Sequence, residues 1–234
     1  MDKELSRKFF QRVLTGNALR EADTEKFIVQ TESLDTLLTM YQCAVTKLRA
    51  RIDVVTAEFE ITENRNPLEY VESRIKKPLH IMEKLQRKGF EFSIESIVYN
   101  LNDVAGIRLV CSFIDDIYRI TDMLLADDTY TLVEKVDYIK NPKPNGYRSL
   151  HLIIEVPVIF SQNVQKMKVE VQIRTIAMDF WASLEHQIHY KRDFEKKDED
   201  IVRELKEWAD VIYSTDVRMQ EIQKRLLSLS EPKG

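Results

Sequence analysis

Apolar residues recur at steps of three and four through ESLDTLLTMYQCAVTKLRARIDVVTAEFEI (32–61), where Leu34, Leu37, Leu38, Tyr41, Val45, Leu48, Ile52, Val55 and Phe59 share one stripe. That period predicts a long amphipathic helix with one face committed to a core. After the break TENRNP the period drops to two: Glu69, Val71, Ser73 and Ile75 alternate with Tyr70, Glu72, Arg74 and Lys76, the pattern of a strand. Pro78 suits the first position of a new helix and Gly89 its C′ position, with Leu79, Met82 and Leu85 expected to face inward. Three more strands are predicted at 104–113, 130–139 and 146–160, with a helix between the first two. A fifth is QKMKVEVQI, where Met167, Val169, Val171 and Ile173 alternate with Lys168, Glu170 and Gln172. Helical spacing returns from Thr175 to about Arg192 and from Asp198 to about Ser228, around the charged hinge KRDFEKKDED. Trp181, Leu184 and Ile188 are expected to pack on the sheet, and His189 and Lys191 to lie at the surface. The expected fold is α/β (α+β): a mixed five-stranded sheet flanked by helices, with helical arms at both ends. Residues 1–31 form an N-terminal extension, 32–195 the central domain including the first long helix, and 196–234 a C-terminal helical arm.

Composition narrows the function. The 234 residues are 44% hydrophobic, ample for a core, and 32% charged with a formal net charge of −4. A dedicated DNA or RNA binder carries a global basic signature, so any anion site here has to be local. Cys43 and Cys111 are isolated thiols without CxxC spacing, which argues against zinc or a disulfide framework and for a reducing compartment, the cytoplasm. The N-terminal MDKELSRKFFQRVL is charged rather than signal-like, and no run of 18 apolar residues predicts a membrane span.

The chain has five glycines and six prolines, yet YIKNPKPNGYRSLH (138–151) spends two prolines and a glycine beside an aromatic ring and a group of cations. Pro142 and Pro144 stiffen the segment, and Asn145-Gly146 is a turn dipeptide. Tyr147 presented there suits stacking on a base, with Lys140, Lys143, Arg148 and His151 as phosphate donors. The same residues also read as an ordinary hairpin with a solvated basic rim. Asp103 and Glu170 each stand among β-forming apolar residues, where an unpaired charge is costly. Together they suit a Mg²⁺ cradle, and they equally suit structural ion pairs with arginines. Arg74 and Lys76 share a strand face, and His80, Lys84 and Lys88 recur on the following helix, giving a cationic wall beside a helix N-terminus. Arg108 adds a guanidinium plane able to stack on a purine. Asp103 and Arg108 are five apart, so either Gly106 marks a bulge or Asp103 precedes the strand.

SRIKKP, DVAGIR, KPNGYRSLH, EVQIRT and FWASLEH, in this order and spacing, resemble the synthetase domain of RelA/SpoT homologues, and most closely its stand-alone class, the small alarmone synthetases. The resemblance covers roughly residues 35–225 and implies a nucleotidyltransferase-like fold. It implies Mg²⁺-dependent transfer of pyrophosphate from ATP to the 3′-hydroxyl of GDP or GTP, giving (p)ppGpp and AMP. On it, Arg74 and Arg108 sandwich adenine, Lys76 and Lys84 hold ATP phosphates, and Asp103 with Glu170 positions Mg²⁺. Glu170 is also the candidate base beside the attacking hydroxyl, and Gln172 orients the acceptor. Tyr147 stacks on guanine, Lys140, Lys143 and His151 serve the acceptor phosphates, and Asn145 and Asp179 complete the guanine-nucleotide set, Asp179 falling where related chains carry Asn. Glu185 and His186 are polar neighbours of the site. The family's hydrolase needs an adjacent His-Asp pair, and none of the four histidines is followed by Asp, so degradation is not expected. Stand-alone members are typically homotetramers, which is the oligomeric expectation. The competing readings are a non-catalytic guanine-nucleotide or single-stranded RNA binding module, and a nucleotidyltransferase releasing pyrophosphate instead of AMP.

Overall fold

The computed structural model describes residues 21–160, 163–190 and 199–230. Helix α1 (Glu21–Glu63) carries the stripe read from the sequence: Leu34, Leu37, Tyr41, Ala44, Val45, Leu48, Ile52, Val55 and Phe59 are all buried. It ends at Asn64, whose φ of 53° is a left-handed value that asparagine tolerates. Next come β1 (Leu68–Ile75), α2 (Pro78–Arg87), α3 (Ile94–Asn100), β2 (Ala105–Cys111), α4 (Ile114–Leu125), β3 (Thr131–Asp137), β4 (Leu150–Phe160), β5 (Asn163–Thr175), α5 (Ile176–Tyr190) and α6 (Glu199–Ser230). Five strands form one mixed sheet in the order β1-β2-β5-β4-β3, with β2 and β5 parallel and the other neighbours antiparallel.

Register divides the sheet into two chemically different faces. Ser73, Ile107, Val171 and Leu152 form one row, and Ile75, Ala105, Val169 and Ile154 the next, beneath α1. Seven of these eight residues are apolar, and α1 closes the core over them. The opposite face carries Arg74, Gly106 and Glu170 in one row and Glu72, Arg108, Gln172 and His151 in the next. Period-two alternation therefore places the charged residues together on the face that α1 leaves open.

Several expectations shift in detail. In α2 Leu85 is buried and Met82 packs partly buried against the core as expected, while Ile81 is buried in place of Leu79, which is exposed. Gly89 adopts φ 76° just past the Lys88 cap, as its C′ role requires. Helix α3, capped by Ser93, was not predicted; its seven residues are too short for a periodic signal. The strand expected from 146 starts at Leu150, because residues 146–149 belong to the preceding loop. Leu184 and Ile188 are exposed, and Trp181 packs with Ala182 and Ala209 in a small satellite cluster with Tyr147, Leu205 and Ile212, away from the main core. The hinge at 191–198, the N-terminal 1–20, and the side chains of His189 and Lys191 lie outside what is described.

The C-terminal helix is latched to the sheet. The Thr175 hydroxyl donates to Asp216 of α6 at 2.6 Å and accepts from the Met178 N–H at the start of α5. Burial pushes the Asp216 carboxyl up from its ordinary 3.8, and the Thr175 bond offsets this only in part. The native state then holds a proton that the unfolded chain has lost, so this group's contribution falls as pH rises through the raised folded value. Asp216→Asn keeps an acceptor for Thr175 and removes the charging cost. Thermal melts should show the variant gaining on the parent at neutral pH, with the gap closing as pH falls to 3.8. A difference independent of pH sinks this assignment.

Candidate active site

Asp103 resolves the spacing problem by preceding β2: pairing with β1 is unbroken through Gly106, so no bulge is needed. The last rung is the Lys76 N–H to the Val104 carbonyl at 2.8 Å, and Asp103 comes immediately before it. Lys76 and Lys84 converge on one oxygen of that carboxylate, Oδ2, at 2.5 and 2.6 Å. The cationic wall is thus narrower than expected. Lys88, the C-cap of α2, donates to the Asn100 carbonyl at 3.3 Å, and His80 is exposed. Burial alone would raise the Asp103 carboxyl, but the two lysines outweigh it and hold it below the ordinary value. Burial also draws the Lys76 ammonium down, against the pull of Asp103. The other oxygen, Oδ1, is buried with no hydrogen-bond partner. An ionised carboxylate with one oxygen saturated and the other buried and unpaired has the donor chemistry of a hard-cation ligand. Among the described residues there is no cluster of three His, Cys, Asp or Glu groups of the kind zinc needs.

Glu170 lies on the open face beside Gly106. Its Oε2 accepts from Gln172 Nε2 at 3.0 Å, and its Oε1 lies 3.5 Å from His151 Nδ1. Burial pushes this carboxyl up and the Asp103 charge adds to that, but His151 and Gln172 outweigh both, so Glu170 stays below its ordinary value. The two carboxylates are therefore near enough to feel one another across the face. Glu170 and Gln172 line a cleft of about 580 Å³ with Arg49, Glu72, Arg74 and Arg108. A second cleft of about 480 Å³ is lined by Tyr147, Arg174, Glu185 and His186 and shares Arg74, Arg108 and Gln172 with the first. Two adjoining chambers with shared arginines suit two anionic ligands held side by side.

The loop between β3 and β4 builds the second chamber. Its turn closes with the Gly146 N–H donating to the Lys143 carbonyl at 2.8 Å, Pro144 at the second position and Gly146 at φ 90°. Asn145 is spent on the loop itself: its Oδ1 accepts from the Tyr147 N–H, and its Nδ2 donates to Glu185 at 3.0 Å. Arg148 does not face the chamber. It donates to the Ile139 carbonyl and to Asp210, and lies 4.1 Å over the Tyr213 ring, bracing the loop against α6. Tyr147 does face it, edge-on to Tyr138 and His151, with Lys143 Nζ 4.9 Å from its ring centre. Lys140 lies over the Tyr118 ring, 3.9 Å from Asp137.

Sequence reasoning gave Arg174, Tyr70 and Tyr138 no role. Arg174 donates to Asp179 at 3.0 Å, to the Tyr147 hydroxyl at 2.6 Å and to Gln172 Oε1 at 3.0 Å. The Tyr147 hydroxyl in turn lies 2.8 Å from His151 Nε2. Arg174, Gln172, Glu170, His151 and Tyr147 thus close a ring of polar contacts. The signal was available, since residues 170, 172 and 174 share a strand face. Asp179 is buried, and its oxygens accept from Tyr70 and Arg174.

Residues 73–195 match the region found in RelA / SpoT proteins. The chain belongs to the RelA/SpoT family. Among its relatives, GTP pyrophosphokinase YwaC of Bacillus subtilis (strain 168) is 44% identical over 191 residues, 81% of this chain and 90% of that protein. Small alarmone synthetase 2 from Bacillus subtilis superposes with a TM-score of 0.73 at 41% identity, covering 82% of this chain and 98% of that structure. Small alarmone synthetase 1 from the same organism, bound to its product pppGpp, gives 0.74 at 32% identity, covering 83% and 98%. The five motifs from SRIKKP to FWASLEH begin at residue 73 and all fall within the matched RelA/SpoT region.

Proposed function

We propose that the chain is a GTP pyrophosphokinase that transfers pyrophosphate from ATP to the 3′-hydroxyl of GDP or GTP, yielding (p)ppGpp and AMP. The observation that carries this is the pair of adjoining clefts sharing Arg74, Arg108 and Gln172, with Glu170 lining the first of them. The kinship to GTP pyrophosphokinases supports it. Arg74 and Arg108 grip the adenine on the side of Glu72, and the triphosphate runs toward Lys76 and Lys84. Both lysines then exchange Asp103 for phosphate oxygens. Tyr147 stacks the guanine in the second chamber, with Lys143 and Lys140 at the acceptor phosphates. The acceptor oxygen attacks the β-phosphorus, the bond to the bridging α–β oxygen breaks, AMP departs and the hydroxyl proton passes to Glu170. Asp103 Oδ1 and Glu170 are the residues that would hold Mg²⁺, whose bound charge neutralises phosphate oxygens.

Exposed apolar side chains support a homotetrameric assembly. Trp208, Val211, Met219, Ile222 and Leu226 on α6, and Phe180, Leu184 and Ile188 on α5, are all exposed in a single protomer. The free Cys43 and Cys111 support a cytoplasmic setting. Among the described residues no helix is long and apolar enough to cross a membrane. A single-stranded RNA role draws less support, because Arg148 is turned back onto α6, paired with Asp210 and lying over Tyr213. Incubation with Mg²⁺, ATP and GDP should yield ppGpp and AMP in equal amounts on anion-exchange analysis. Formation of ADP alone, or release of pyrophosphate, rejects the proposal.

A further inference from the structure

Asp179 stands in the first turn of α5, where a carboxylate is favoured by the helix N-terminus, and is only 6% exposed. A carboxylate so buried is tolerated only when cations and donors surround it. Three donors do: Tyr70 OH on Oδ2, Arg174 Nη1 on Oδ1 at 3.0 Å, and Arg108 Nη1 at 3.6 Å from the same Oδ1. Arg108 lines both clefts and Arg174 only the second, and the two are held very differently. Arg174 is 5% exposed and donates to three side chains, two of which, Tyr147 and Gln172, line the second cleft. Arg108 has only long contacts, 3.6 Å to Asp179 and 3.5 Å to Glu72, so its guanidinium plane is available to a purine.

We propose that Asp179 is a positioning residue that couples the two clefts energetically, because one of its oxygens is shared by the donor-side Arg108 and the acceptor-side Arg174. This rests on the two-nucleotide reading above. When a purine takes Arg108, Oδ1 passes to Arg174 alone. The tighter Arg174 pair then fixes the Tyr147 hydroxyl and the Gln172 amide that receive the acceptor. Linkage makes the effect mutual, so the acceptor strengthens donor binding by the same factor. A purely structural Asp179 would support both affinities and leave their ratio alone.

Calorimetric titration of GDP with and without saturating α,β-methylene-ATP, in Mg²⁺, reads the factor directly without turnover. The parent chain should bind GDP at least about 5-fold more tightly when the ATP analogue is present. Asp179→Asn, which keeps the shape and removes the charge, should reduce that factor to below about 2-fold, on the same scale of coupling. Tyr70→Phe removes the donor to Oδ2 and leaves an exposed ring in place, and should give an intermediate factor. An unchanged factor in Asp179→Asn, or in Tyr70→Phe should the first variant not fold, overturns the coupling. Independent binding of both nucleotides to the parent overturns it as well and leaves the two-nucleotide reading standing. If neither nucleotide binds, that reading falls with it.

Discussion

Glu170→Gln should lose product formation by roughly 10²–10⁴-fold in kcat while ATP and GDP still bind, the range expected for removing a group that handles a proton in the transition state. The replacement is isosteric, and its amide oxygen still accepts from Gln172, so the ring of contacts through Arg174 and Tyr147 keeps its shape. What disappears is the negative charge that faces His151 and the hard oxygen donor opposite Asp103. The direction of the Glu170 shift refines the role. Its carboxyl is held below the ordinary value, so it is ionised throughout the neutral range and is a comparatively weak base. Its task is then to be charged and in place when the hydroxyl proton is lost. Any acidic limb that Glu170 imposes on kcat/KM, which reports the free enzyme, lies below the usual carboxylate range, not near neutrality. Single-turnover assays beside binding titrations check both points; a variant that binds both nucleotides and still turns over at a tenth of the parent rate removes Glu170 from the chemistry.

The elements were legible wherever a period was sustained. The α1 stripe and the alternation in β1 and β5 each carry enough repeats to separate 3.6 from 2, and they also sort charged from apolar faces. Glu170, Gln172, Arg74 and Arg108 follow from that sorting, because a face that keeps four such side chains through three strands is not a core face. Strand order was not legible: β5 lies between β2 and β4, a long-range choice that local pattern does not encode. Side-chain direction off the strands was harder still. Arg148 and Lys143 look alike in KPNGYRSLH, yet Arg148 turns back onto α6 and Lys143 stays over the Tyr147 ring. The difference lies in Asp210 and Tyr213, more than sixty residues downstream. Arg174 was overlooked because it ends the strand, where a cation usually reads as a boundary and not as a buried hub.

Gly146→Ala should be the most damaging glycine-to-alanine change among the described residues. At φ 90° the backbone is in a region that an L side chain enters only at a cost of about 1–2 kcal/mol. The added carbon would also lie 2.5 Å from the Ala209 Cβ and 3.1 Å from the Lys206 Cα, so helix α6 has to move away. Overpacking against backbone adds roughly 1–3 kcal/mol. At about 2–4 °C per kcal/mol for a domain of this size, the melting temperature should fall by roughly 4–20 °C. The loss is also functional, since α6 braces the loop that carries Tyr147 through Arg148 and Asp210, and the acceptor KM should rise more than that for ATP. The strain has two parts that a second substitution separates. Ala209→Gly removes the atom at 2.5 Å without altering φ, so in the double variant it should restore the packing share of the lost stability and leave the backbone share. Thermal melts of the two single variants and the double variant measure this interaction directly; simple additivity would show that the loop and α6 do not meet at Gly146.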